Sequence, residues 1–120
     1  MYSLALILLA VAGPIQGDWV KLFDEAGEST YLQPRPKREG TEAMVWIRHD
    51  YRRPQPGGVL SLRDQWLFSC AHKSFTMFSL VSYDARGRVV SAQAIPAKQR
   101  RAAPVIPGSR MDKVFGAVCG

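Results

Sequence analysis

Apolar positions along the chain change their period once. From Asp18 to Ile95 they alternate with polar residues in short runs, and only beyond Gly108 do they recur every three or four residues. Period two marks a strand with one face buried, and the longer period marks a helix. Asp18 to Phe23 predicts a first strand, closed by the polar cluster Asp24 to Glu28; Ser29 to Gln33 predicts a second, ended by Pro34 and Pro36, which donate to no ladder. Lys37 to Gly40 reads as a charged turn. Ala43 to Tyr51 is the clearest early strand, with Val45, Ile47 and Tyr51 on one face and Met44, Trp46 and Arg48 on the other. Arg52 to Gly58 reads as a loop from its prolines and glycines. Val59 to Cys70 places Leu60, Leu62, Trp66, Phe68 and Cys70 on one face, so Cys70 points inward. Phe75 to Asp84 and Val89 to Ile95 follow as strands around the turn Ala85 to Arg88. Between Cys70 and Phe75 no Gly, Pro or Asn marks a turn, so one long bent strand is an alternative there.

Pro96 to Pro107, with its prolines and basic residues, predicts an extended surface connection. Ser109 then has the position of a helix N-cap and Asp112 that of an acidic first-turn residue. Met111, Val114, Phe115 and Val118 form an apolar stripe, with Cys119 at its end. Such a short helix needs packing to hold it. The pattern therefore predicts an α+β domain: an antiparallel sheet of about six strands covered by a C-terminal helix.

The first 17 residues carry no charge, and their apolar run from Leu4 to Ala12 is far shorter than the roughly 20 residues of a bilayer span. They read as a signal peptide, cleaved near Gly13 to Gly17, without the basic start usual in that class. No transmembrane segment is expected, and no cysteine stands at the cleavage point to carry a lipid. Residues 18–120 are then one mature domain, periplasmic or secreted, with a modest single core. In that oxidising setting the two cysteines, Cys70 and Cys119, have one intramolecular pairing open to them.

The net charge of +6 lies wholly in the mature part. It favours anionic partners, although scattered arginines also serve solubility. No GxSxG elbow, HExxH helix, glycine-rich phosphate loop or second cysteine pair is present, so neither a metal nor a cofactor is implied. His49-Asp50 and Cys70-Ala-His72 are the remaining candidates for acid–base or thiol chemistry. Strand alternation sends His49 and Asp50 to opposite faces, and a bonded Cys70 is no nucleophile; a surface position is the default for each histidine. Trp19, Trp46, Trp66, Phe68, Phe75 and Phe78 are better explained by packing than as a stacking platform, so no nucleic acid is expected.

In order, the Trp19 strand, Tyr31 before a basic segment, Val45-Trp46-Ile47 leading to Asp50-Tyr51, the Ser61 strand ending in Cys70, Pro107-Gly108-Ser109 and Cys119 resemble the surface-adhesin protein E family over Trp19 to Cys119. The resemblance implies that the helix lies on the concave face of the sheet, tethered by the disulfide. It also implies a non-catalytic binding module, although the lipid-bearing cysteine of the founding adhesin has no counterpart here. The partner expected is a protein or polyanionic surface, met through Arg35, Lys37, Arg38, Arg52, Arg53, Lys98, Arg100 and Arg101. The alternative is a small periplasmic enzyme or enzyme accessory.

Overall fold

The computed structural model describes residues 18–120, so the signal-peptide expectation for residues 1–17 lies outside the described residues. Strands β1 (Val20–Glu25), β2 (Glu28–Leu32), β3 (Lys37–Glu39), β4 (Glu42–Gln55), β5 (Val59–Ser69), β6 (Ser74–Tyr83), β7 (Val89–Ala94) and β8 (Ala103–Pro104) precede helix α1 (Arg110–Cys119). All eight form one antiparallel sheet in the order β1-β2-β4-β5-β6-β7, with β3 added beside β4 and β8 beside β6. The six-strand expectation holds for the main path; the two additions are short.

Lys37 to Glu39 is a strand rather than a turn, paired with Glu42 to Met44 through a turn at Gly40 and Thr41. All three of its residues are exposed, so it has no apolar alternation by which to be recognised. β4 also runs past Tyr51 to Gln55, through residues expected in a loop. Its pairing with β5 is interrupted between Asp50 and Gln55, which is where Pro54, lacking an N–H, is tolerated. Ala26 and Gly27, both at positive φ, make the two-residue turn between β1 and β2, so strand structure reaches into the polar cluster on both sides. The four residues Cys70 to Lys73 separate the paired Ser69 and Ser74, and Lys73 takes the left-handed conformation that glycine would otherwise supply.

Pairing brings Leu32 beside Ile47, Val45 beside Trp66, and Ala43 beside Phe68, all on one face of the sheet. Helix α1 lies on that face. Val114 and Val118 are fully buried against Leu32, Ala43, Val45, Ile47 and Phe68, with Met111, Phe115, Trp66 and Phe75 packed around them. The Ser109 hydroxyl accepts the Asp112 N–H at 3.2 Å, and the Asp112 carboxylate accepts the Gly108 N–H at 2.8 Å, which together close the first turn. At the opposite end Cys119 is bonded to Cys70, with Cα atoms 5.6 Å apart, and the Arg38 guanidinium donates to the Val118 carbonyl. The helix C-terminus is therefore held covalently and by a cation suited to its dipole.

Candidate functional site

Three features of the domain can carry chemistry: a buried charged cluster beneath the start of α1, the basic loops, and the sheet face turned away from the helix.

The cluster arises because β2 places Glu28, β4 His49 and Tyr51, and β5 Asp64 on the helix face. His49 Nδ1 lies 2.9 Å from Glu28 Oε2, and its Nε2 lies 3.0 Å from Asp64 Oδ2. Thr30 and the Trp66 indole N–H approach the same carboxylates at 3.5 Å and 3.4 Å. Arg110, opening α1, is 3.5 Å from Glu28 and 3.0 Å from Glu25, which also accepts from Lys113 at 3.0 Å. Burial opposes a charge on His49, but Asp64 and Glu28 outweigh it and hold the imidazole above its ordinary pKa. Burial, reinforced by the charges of Glu28 and Asp64, likewise raises the Tyr51 phenol.

His49 does face away from Asp50, which pairs instead with Arg48 on the other side of the sheet. It is not a surface histidine, however, since only 18% of its side chain is exposed. The overlooked signal was Asp64, which falls on the same face as Leu62, Trp66 and Phe68 and is buried. A carboxylate at an inward position of a strand requires a partner. Both imidazole nitrogens are engaged, so His49 has no free lone pair to act as a base, and the cluster ties three strands to the helix. Among the described residues no group of His, Cys, Asp and Glu is arranged to hold a metal ion.

The basic loops lie in different places. Arg38 pairs with Ala43 near the start of β4, whereas Arg52 and Arg53 follow nine residues later on the same strand, about 30 Å away at the strand rise. Arg52 and Arg53 line a groove of about 380 Å³ with Glu28 and Tyr51, so carboxylates share that surface. Lys98 to Arg101 lie at the far side of the sheet. A row of paired residues, Arg38, Ala43, Phe68, Phe75 and Ala103, separates Arg38 from that segment by four strand spacings, roughly 19 Å. Arg35, Lys37 and Arg38 thus share an end of the sheet with Lys98 to Arg101 but are not contiguous with them.

Lys98 to Arg101 form a corner ordered by its own backbone. Ala97–Gln99 is a 3-10 turn, Arg101 donates to the Lys98 and Arg100 carbonyls at 2.9 Å, and Arg100 Nε donates to the Ile95 carbonyl at 3.0 Å. No Asp or Glu occurs between Asp84 and Asp112 to neutralise it locally.

The face away from the helix is lined with cations over aromatic rings. Arg48 lies 4.8 Å from the Tyr31 ring, Arg63 4.3 Å from Tyr83, and Arg100 4.0 Å from Phe78. These contacts cover an apolar surface with guanidinium planes rather than with a second layer of structure.

Order, helix and disulfide together match a known group. The sequence profile described as Surface-adhesin protein E matches residues 19–120. The chain belongs to the surface-adhesin protein E family. No curated protein sequence matches the chain. Among solved structures, Haemophilus influenzae protein E is similar at 17% identity and a TM-score of 0.59, over 88% of this chain and 86% of that one. Its crystal form II gives 17% and 0.61 over 88% and 90%. Protein E from non-typeable Haemophilus influenzae gives 17% and 0.57 over 92% and 81%. At this identity the likeness shows a shared fold, and function has to be argued from the sites on it. Among the described residues no helix is long and apolar enough to cross a membrane.

Proposed function

We infer that this member of the family is an exported, non-catalytic binding module that meets a protein or polyanionic surface outside the cytoplasm. The observation that carries the reading is the corner from Lys98 to Arg101, where neighbouring cations are held in place by backbone carbonyls in a stretch without acidic residues. An ordered cationic surface steers an anionic partner at little entropic cost. Arg35 and Lys37 add a second basic patch on the same end of the sheet, while Arg38 is engaged at the Val118 carbonyl. Separated by more than a Debye length of about 8 Å, the two patches act together only on an extended partner. Arg52 and Arg53 stand apart and share their groove with Glu28. The alternative of a small periplasmic enzyme rests on His49, both of whose nitrogens are already engaged by carboxylates.

The test is the association rate with an immobilised polyanion, heparin or polyglutamate, between about 50 and 300 mM salt. Binding should fall steeply with salt, and Lys98→Ser with Arg101→Ser should slow association while leaving the melting temperature nearly unchanged. Binding indifferent to salt and to the double substitution would refute the reading.

A further inference from the structure

On the face away from the helix, one row of paired residues runs Trp46, Gln65, Ser79 and Ala94 across four strands. The next row ends in Val81 and Ala92. Between these rows the small side chains of Ala92 and Ala94 leave an open groove of about 340 Å³, bounded by Trp46, Phe78 and Arg100. A bulge in β6 helps to shape it. Gln65 pairs with Ser79 while the following Trp66 pairs with Met77, so Phe78 is an extra residue, and its ring reaches the groove.

Phe78 is the platform for Arg100, whose guanidinium lies 4.0 Å from the ring centre and whose Nε donates to the Ile95 carbonyl. Two restraints therefore fix the fork, while its two terminal nitrogens have no protein acceptor among the described residues. Ser79 and Gln65 are hydrogen-bonded to each other at 3.1 Å and give the groove one polar wall. A planar guanidinium held at the rim of an apolar groove suits the two oxygens of a carboxylate. The adjoining edge strand β7 is exposed over all its residues, carries no charge, and is paired on one side only, so an extended backbone can lie along it.

We propose that this groove binds the C-terminal carboxylate of a partner peptide ending in a small apolar residue, with Arg100 holding the carboxylate and Ala92 and Ala94 receiving the last side chain. The peptide is favoured over a free small acid because Ala92, Gln93 and Ala94 of the edge strand β7 line the groove, and that edge offers a backbone partner that a free acid would not use. The assignment does not depend on charge-driven docking at Lys98 and Arg101.

The test follows the Trp46 indole N–H by NMR in the disulfide-bonded protein during titration with acetyl-Ala-Ala-Val as the free acid, with its C-terminal amide, and with benzoate. The acid should shift the signal saturably and the amide should not. Arg100→Gln should weaken binding by about tenfold or more, as expected for one charge-assisted contact, and Arg100→Lys should restore only part of it because the fork is lost. Circular dichroism would verify that both variants are folded; if Arg100→Gln is not, the acid–amide comparison in the unaltered protein decides the matter alone. Equal shifts with acid and amide, or unchanged affinity in folded Arg100→Gln, would overturn the site. Benzoate binding as tightly as the peptide acid would overturn the peptide as its occupant. Lys98→Ser with Arg101→Ser should leave the titration unchanged, which separates this result from the fate of the polyanion reading.

Discussion

Replacing His49 by Leu tests whether the cluster beneath α1 holds the domain together. The substitution leaves the Glu28 and Asp64 carboxylates, 16% and 7% exposed, facing each other across an apolar side chain. Arg110, 3.5 Å from Glu28, is the nearest remaining cation. Breaking a buried ion pair by removing one partner costs about 3–5 kcal/mol. A domain of this size has only about 5–15 kcal/mol in total. At about 4–8 °C per kcal/mol, even the lower figure lowers the melting temperature by about 12 °C or more. The pH dependence supplies the sign. Because the folded pKa of His49 is raised, its stabilising charge is fully present below the unfolded value of about 6.5 and is lost as pH rises through the folded value. Tyr51, raised from an ordinary 10.0, stays neutral below about pH 9 and does not confuse that window. Guanidinium chloride unfolding of both proteins with the disulfide intact, at about pH 6 and pH 9, should show a large deficit for His49→Leu at the lower pH and a smaller one at the higher. A deficit below about 1 kcal/mol, or one equal at both pH values, would refute the reasoning.

Other expectations concern the helix. Cys119→Ser opens a bridge whose ends are 49 residues apart, for which chain entropy predicts a loss of about 4 kcal/mol; equal denaturation midpoints for the bonded and substituted proteins would contradict it. Ser109→Ala removes the acceptor of the Asp112 N–H and should cost about 1 kcal/mol by chemical denaturation, with near-UV circular dichroism unchanged. Phe68→Ala empties the middle of the core beneath Phe115 and should cost about 3–5 kcal/mol, and an unfolding free energy within about 1 kcal/mol of the parent would contradict that account.

Alternation and helical spacing are local properties, so the residues themselves announced the main strands, the inward face of Val45, Ile47, Trp66 and Phe68, and the helix entered through Ser109 and Asp112. With two cysteines the bridge had a single pairing to make. Register is a relation between strands distant in sequence, and no local pattern encodes it. The partners of Asp64 are His49, on the preceding strand, and through it Glu28 on β2; only the mutual alignment of β2, β4 and β5 brings the three together. The same holds for Phe78, whose strand reads as regular until its pairing with β5 reveals the extra residue, and for Arg100, which meets that ring only after the chain has turned back. The exposed β3 offered no alternation because none of its side chains is buried. Basic loops that look equivalent in sequence are set at different ends and sides by the length of β4 and the order of the strands. Composition thus determined that the domain carries a positive field, and tertiary structure decided which of its cations are neutralised, which are spent on the fold, and which face outward.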